Sequence, residues 1–192
     1  MTKDDVGPIT ELGTLIRKFA GEKAEKKIME GSEQIADASP EEVAEWLKSA
    51  IDRLDALTDE KTRIKIMENM GFNCAEVNRS HIEQALEKRG KFKTLDEFLE
   101  AEEKNPMKGT RLVRKNNVVY QYYDPLALKV KCFCSLWRGL QNETVSPTWC
   151  QCSKGFVTKL WEAYLGNPAK VELAGSCISG AKECKFVIQL KS

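Results

Sequence analysis

The hydrophobic rhythm of the chain changes once. Up to about residue 105 apolar positions recur at helical spacing. Beyond Asn105-Pro106 they mostly alternate, with one return to helical spacing near 153–165. Leu12, Leu15, Ile16 and Phe19 form the first stripe. Val43, Trp46, Leu47, Ala50, Ile51, Leu54 and Leu57 form the most regular one. It opens on Ser39-Pro40-Glu41-Glu42, with a capping serine, a proline at the first helical position and acids facing the positive helix end. Thr58 reads as the cap of the next helix, with Ile64, Met67 and Met70 inward and Gly71 as its end. Ser80-His81-Ile82-Glu83 and Thr94-Leu95-Asp96-Glu97 read as capping boxes that open two short helices.

The alternating half begins with Arg111–Arg114 and Val118–Tyr123, which flank Asn116-Asn117. Asparagine tolerates the left-handed backbone of a tight turn, so a hairpin is expected there. Leu128–Cys134 is expected to be a further strand that puts Cys132 and Cys134 on one face. Residues 136–147 read as a loop. Phe156, Val157, Leu160, Trp161 and Tyr164 predict a helix from about Ser153 to Leu165, with Gly166 and Pro168 stopping it. Trp161 and Phe156 read as packing residues. Val171 and Leu173 predict a strand, Gly180-Ala181-Lys182 a turn, and Cys184, Phe186, Ile188 and Leu190 a returning strand that faces the core. The expected fold is α+β: a helical N-terminal half, 1–105, then a cysteine-rich domain, 106–192, with a small antiparallel sheet packed on one amphipathic helix.

A chain of 192 residues, 42% hydrophobic and 31% charged, is long enough to bury a full core. With 30 basic and 29 acidic residues the net charge is +1. Such a balance argues against nucleic acid as the main partner. No apolar run approaches membrane-spanning length. The start, Met-Thr-Lys-Asp-Asp, lacks the apolar core of a signal peptide, so the expected location is the cytoplasm. In a reducing compartment the seven cysteines read as buried thiols, metal ligands or catalytic groups rather than structural disulfides.

Six of those cysteines fall between residues 132 and 184: Cys132, Cys134, Cys150, Cys152, Cys177 and Cys184. Thiolates are soft ligands, and two Cys-x-Cys pairs weigh towards metal or redox chemistry; buried core thiols are the bland alternative. Cys152 falls at about the cap of the predicted 153–165 helix. The helix end and Arg138 would each lower a nearby thiol pKa, which makes Cys152 the candidate nucleophile. His81 is the only histidine. A Cys-His mechanism is weakened accordingly. Glu162, Glu172 and Glu183 are the carboxylates nearest the cysteines in sequence.

The order of pieces in the last third also carries a resemblance. Gly155-Phe156 and Trp161-Glu162 on a helix are followed by Gly166-Asn167-Pro168 and Val171-Glu172-Leu173. Cys177, a glycine turn and Cys184-Lys185-Phe186-Val187-Ile188 complete the series. This order resembles the 4-vinyl reductase domain and the related L-2-amino-thiazoline-4-carboxylate hydrolase-like proteins. The resemblance implies a small-molecule-binding α+β domain. It further implies a zinc site of three cysteines and a glutamate: Cys150 or Cys152, Cys177, Cys184 and Glu172. Iron–sulfur ligation would suit the four thiols equally well. The similar hydrolase-like proteins carry a Met…Gly…Cys segment, which places Cys74 beside the cluster or leaves it a lone buried thiol. Three functions follow as expectations. They are a small-molecule- or metal-binding module of 4-vinyl reductase type, a thiazoline-carboxylate-type hydrolase using Cys152, and a thiol-based redox or interaction protein.

Overall fold

The computed structural model describes residues 3–141 and 143–190. Met1 and Thr2, where the N-terminal reading starts, and Asn142 in the expected 136–147 loop lie outside the described residues. Six helices come first: α1 (Lys3–Ala20), α2 (Glu22–Ile28), α3 (Pro40–Leu57), α4 (Glu60–Val77), α5 (Arg79–Gly90) and α6 (Leu95–Lys104). Then come β1 (Thr110–Lys115), β2 (Val118–Tyr123), α7 (Gln151–Leu165), β3 (Lys170–Gly175) and β4 (Cys184–Gln189). The strands form one antiparallel sheet in the order β1-β2-β4-β3. The fold is α+β.

Local chemistry accounts for most element ends. Ser39 and Glu42 make a reciprocal capping box at the start of α3, and Thr94 and Glu97 make another at α6. Asn116 takes a left-handed φ of 53° in the β1–β2 turn, and Gly166 ends α7 with a φ of 68°. Three expected ends are corrected. The cap of α4 is Asp59, which accepts from the Thr62 amide, while Thr58 closes α3. The Ser80 box is not made: α5 begins at Arg79, with only Asn78 between it and the end of α4. Two turns from Ser146 to Cys150 wind the chain into α7 early, so the helix starts at Gln151 rather than Ser153.

Residues 128–134 are not a strand. Pro125–Leu128 forms a 3₁₀ turn capped by Asp124, and Lys129 then adopts a left-handed φ of 59°, which breaks extended pairing. The edge of β2 that such a strand would need is taken by β4. The following segment instead dives inward. A 3₁₀ turn at Ser135–Trp137 buries Leu136 and Trp137 in the helical core.

Two apolar cores result. One gathers α1–α4 with Leu136, Trp137, Trp149, Cys150 and Ile178 from the C-terminal half. The other lies between α6, α7 and the sheet, around Phe98, Val157, Trp161, Val171, Phe186 and Ile188. Trp161 is fully buried there, and its indole N–H donates to Gln121 Oε1 at 2.6 Å. Leu173 packs against both cores.

The cores are joined where α4 crosses α7. A Cβ on Gly71 would fall 2.0 Å from the Cys152 carbonyl oxygen and 2.8 Å from Gly155 Cα. One on Gly155 would fall 2.4 Å from the Glu68 carbonyl oxygen. The two backbones touch because neither residue has a side chain. Gly71 therefore sits inside α4 and does not end it. Gly71→Ala is expected to lower stability by about 3 kcal/mol, at the upper end of overpacking costs. Urea unfolding should show the lower midpoint. A midpoint within error of wild type would mean that the crossing can open without cost.

Candidate functional site

The thiols gather along the seam between the two cores, and the elements already described explain how. The tight turn after Pro147 delivers Cys150 to the cap of α7 and Cys152 to its first turn. The inward dive after β2 brings Cys132 and Cys134, whose amide lies 3.4 Å from the Cys132 sulfur. The β3–β4 connection supplies Cys177 and Cys184. Cys150 is buried, with its Sγ 2.8 Å from Ser176 Oγ, and it feels Cys132, Cys177 and Cys184 as electrostatic neighbours. Cys152 has Cys134, Cys74, Cys150 and Cys132 as such neighbours. Cys74 is exposed on α4 and takes an amide contact from Asn78 at 3.4 Å. All seven cysteines are free thiols.

Burial dominates their acidity. It pushes Cys132 up to about 11 and Cys150 up to about 12, and it pushes Cys152 well above its ordinary value. The helix end and Arg138 were expected to act in the opposite sense on Cys152. Cys152 is instead surrounded by other thiols and the core, and Arg138 is exposed. Cys177 also reaches about 12, through burial and then the neighbouring Cys184.

Cys177 and Cys184 form one close pair. The Cys177 amide donates to Cys184 Sγ at 3.4 Å, and the two thiols are within hydrogen-bonding reach of each other. Both residues are half-buried. Beside them opens a groove of about 260 Å³ lined by Leu126, Leu140, Ile178, Lys131, Gln141 and Cys177. A smaller hollow of about 170 Å³ lies near Asp55, which pairs with Arg63 at 3.2 Å and accepts from Thr148 at 2.6 Å.

Glu172 does not join the thiols. It is exposed on β3, beside Lys170, opposite in facing to the buried Val171. Glu162 pairs with Lys159 on α7, and Glu183 takes two bonds from Arg111. Among the described residues no three His, Cys, Asp or Glu side chains are grouped to hold a metal ion. Sequence reasoning missed Lys131, Gln141, Ile178 and Ser176, because only the folded loops bring them to the thiols.

A family model, described as a family of unknown function (DUF6144), matches residues 9–192. The chain belongs to this family. No curated protein matches it. Among solved structures, the DUF6144 chain is similar to the Fe(II) unliganded H-NOX protein from K. algicida. They share 15% identity and a TM-score of 0.52, with 97% of this chain and 96% of that one covered. A single-site mutant of the same protein gives a TM-score of 0.51 at 15% identity, with the same coverage. The likeness shows the H-NOX fold along nearly the whole chain.

That finding overturns the resemblance to the 4-vinyl reductase domain and the functions drawn from it, the thiazoline-carboxylate hydrolase included. The matched pieces of the last third are a helix and a hairpin that recur within a larger fold. The expected zinc or iron–sulfur centre falls with it. The solved relatives in fold are Fe(II) H-NOX proteins, and Cys150, Cys152, Cys177, Cys184 and Glu172 make no metal-holding group here. No described helix is long and apolar enough to cross a membrane.

The raised thiol values fix a pH dependence. Above about pH 9.0, the ordinary thiol value, the unfolded chain loses the Cys132 and Cys150 protons while the folded chain keeps them. Their contribution to stability is therefore complete below pH 9 and is lost as pH rises towards about 11 and about 12. Urea midpoints taken from about pH 8 to about pH 10.5 should fall. Cys150→Ala should flatten the fall; an unchanged slope would show that Cys150 contributes nothing to it.

Proposed function

We propose that this chain is a cytoplasmic small-molecule-binding domain on the H-NOX fold that works without heme, with its ligand in the groove beside Cys177. The observation that carries the reading is the groove itself. It has apolar walls from Leu126, Leu140 and Ile178, an ammonium at Lys131, a carboxylate at Glu143 that pairs outward with Lys48, and a thiol at Cys177. Small-molecule sites combine apolar lining with a few placed polar groups in this way. A reducing compartment keeps such thiols free.

H-NOX domains are heme-nitric oxide/oxygen binding domains, and the solved relatives are named for Fe(II), so heme is the cofactor this fold brings to mind. The residues do not fit it. Heme iron takes an axial histidine, thiolate, methionine or tyrosinate. His81, the only histidine, is exposed on α5. No histidine therefore lies in either apolar core.

Anilinonaphthalene sulfonate, an anionic apolar dye, should bind with a saturable rise in fluorescence. In the double variant Leu126→Asp, Lys131→Glu its affinity should fall about tenfold, or about 1.4 kcal/mol. Both residues are exposed, so the melting midpoint should hold. Equal affinity in the variant would remove the groove as the site. Hemin titration should show no saturable one-to-one spectrum. A saturable spectrum lost in His81→Ala would restore the heme reading.

A further inference from the structure

We infer that Cys177 and Cys184 form a two-electron dithiol site that is oxidised by small disulfides entering the neighbouring groove. The inference rests on the groove reading for the route of entry, while the thiol pair stands on its own geometry. Four observations converge on it. The Cys177 amide and the Cys184 sulfur are 3.4 Å apart, with the thiols in reach of each other. Cys177 lines the groove. Both residues are half-buried, whereas Cys150 is closed off. The segment between them turns back at Gly180, whose φ of 99° lets the ends approach.

The geometry assigns the roles. Cys184 Sγ accepts from the Cys177 amide at 3.4 Å, whereas the Cys177 thiol donates to the Lys182 carbonyl at 3.6 Å. Cys184 is the attacking sulfur; its own proton goes to solvent. The Cys184 thiolate attacks one sulfur of RSSR, the S–S bond breaks, and RS⁻ leaves with the proton of Cys177. The Cys177 thiolate then attacks the Cys184 sulfur of the mixed disulfide. The second RS⁻ leaves and takes a proton from solvent. The two cysteines lose two electrons and RSSR gains them, giving one internal disulfide and two RSH.

The bond would act on the groove as well as on the hairpin. The Val145 amide donates to the Ile178 carbonyl at 2.7 Å, and Ser179 Oγ donates to the Val145 carbonyl at 2.7 Å. Closing Cys177 onto Cys184 therefore tightens the loop that braces residues 143–145, and Thr144 lines the groove. Oxidation and ligand occupancy share one wall.

The test uses hydroxyethyl disulfide on the reduced 192-residue chain, read by intact mass and peptide mapping. Wild type should lose two hydrogens, with Cys177 joined to Cys184 and no adduct kept. Cys177→Ser should retain one hydroxyethylthio group on Cys184. The oxidised wild type should melt several degrees higher, in the range a short-loop crosslink gives. A disulfide mapped to another pair, or a stable adduct on wild type, overturns the proposal. Leu126→Asp, Lys131→Glu separates the two readings. If this variant oxidises at the wild-type rate, the dithiol stands and entry through the groove fails. If wild type binds the dye but forms no Cys177–Cys184 bond, the groove stands and the dithiol fails.

Discussion

The contact on which the molecule depends is the bare crossing of α4 over α7 at Gly71 and Gly155. Helices normally meet through side chains, at axial separations of about 8–10 Å. Here the atom a side chain would add has nowhere to go, on either helix. The crossing pins one end of α7 to the helical core. The helix is about 22 Å long, at about 1.5 Å per residue, so its other end reaches the sheet. Val157 and Trp161 lie in the sheet core while Cys150 lies in the helical one. Lys154 reaches Glu68, and Lys159 lies over the Phe72 ring, so charged side chains flank the crossing on both helices.

Once α7 is fixed, the thiols follow from topology. β3 begins shortly after α7 ends and runs to Gly175, and the loop beyond it meets the segment that precedes α7 through Val145. That meeting brings Ser176 to Cys150 and leaves Cys177 lining the groove, with Cys184 beside it against the sheet core. No local motif encodes the cluster. Its members come from α4, the loop after β2, the start of α7 and the β3–β4 connection.

Where a signal lay in adjacent residues, the sequence was legible. Ser39 to Glu42, Thr94 to Glu97, Asn116 and Gly166 act within one turn of themselves, and each does what its chemistry dictates. Alternation marked β2, β3 and β4 because each has one face in a core. Failures came where a distant partner decides. Gly71 looks like a stop until α7 is known to lie against it. Residues 128–134 alternate like a strand, but their neighbour's edge is already occupied by β4. The order of motifs in the last third was read as a whole domain because a helix and hairpin are common to more than one fold.

The same competition between local and distant effects sets the chemistry of the thiols. A helix N-terminus stabilises a negative charge by about 0.3–1 kcal/mol, and at most about 2. The rise at Cys150 from 9.0 to about 12 corresponds to about 4 kcal/mol in the other direction. Burial therefore wins at the cap of α7, and the thiols that look most activated in the sequence are the ones most firmly held protonated. What sets Cys177 and Cys184 apart is access: the loop keeps both half-open, and Cys177 lines the groove. A shared fold does not by itself carry its neighbours' chemistry, and here the side chains that the seam assembles are thiols.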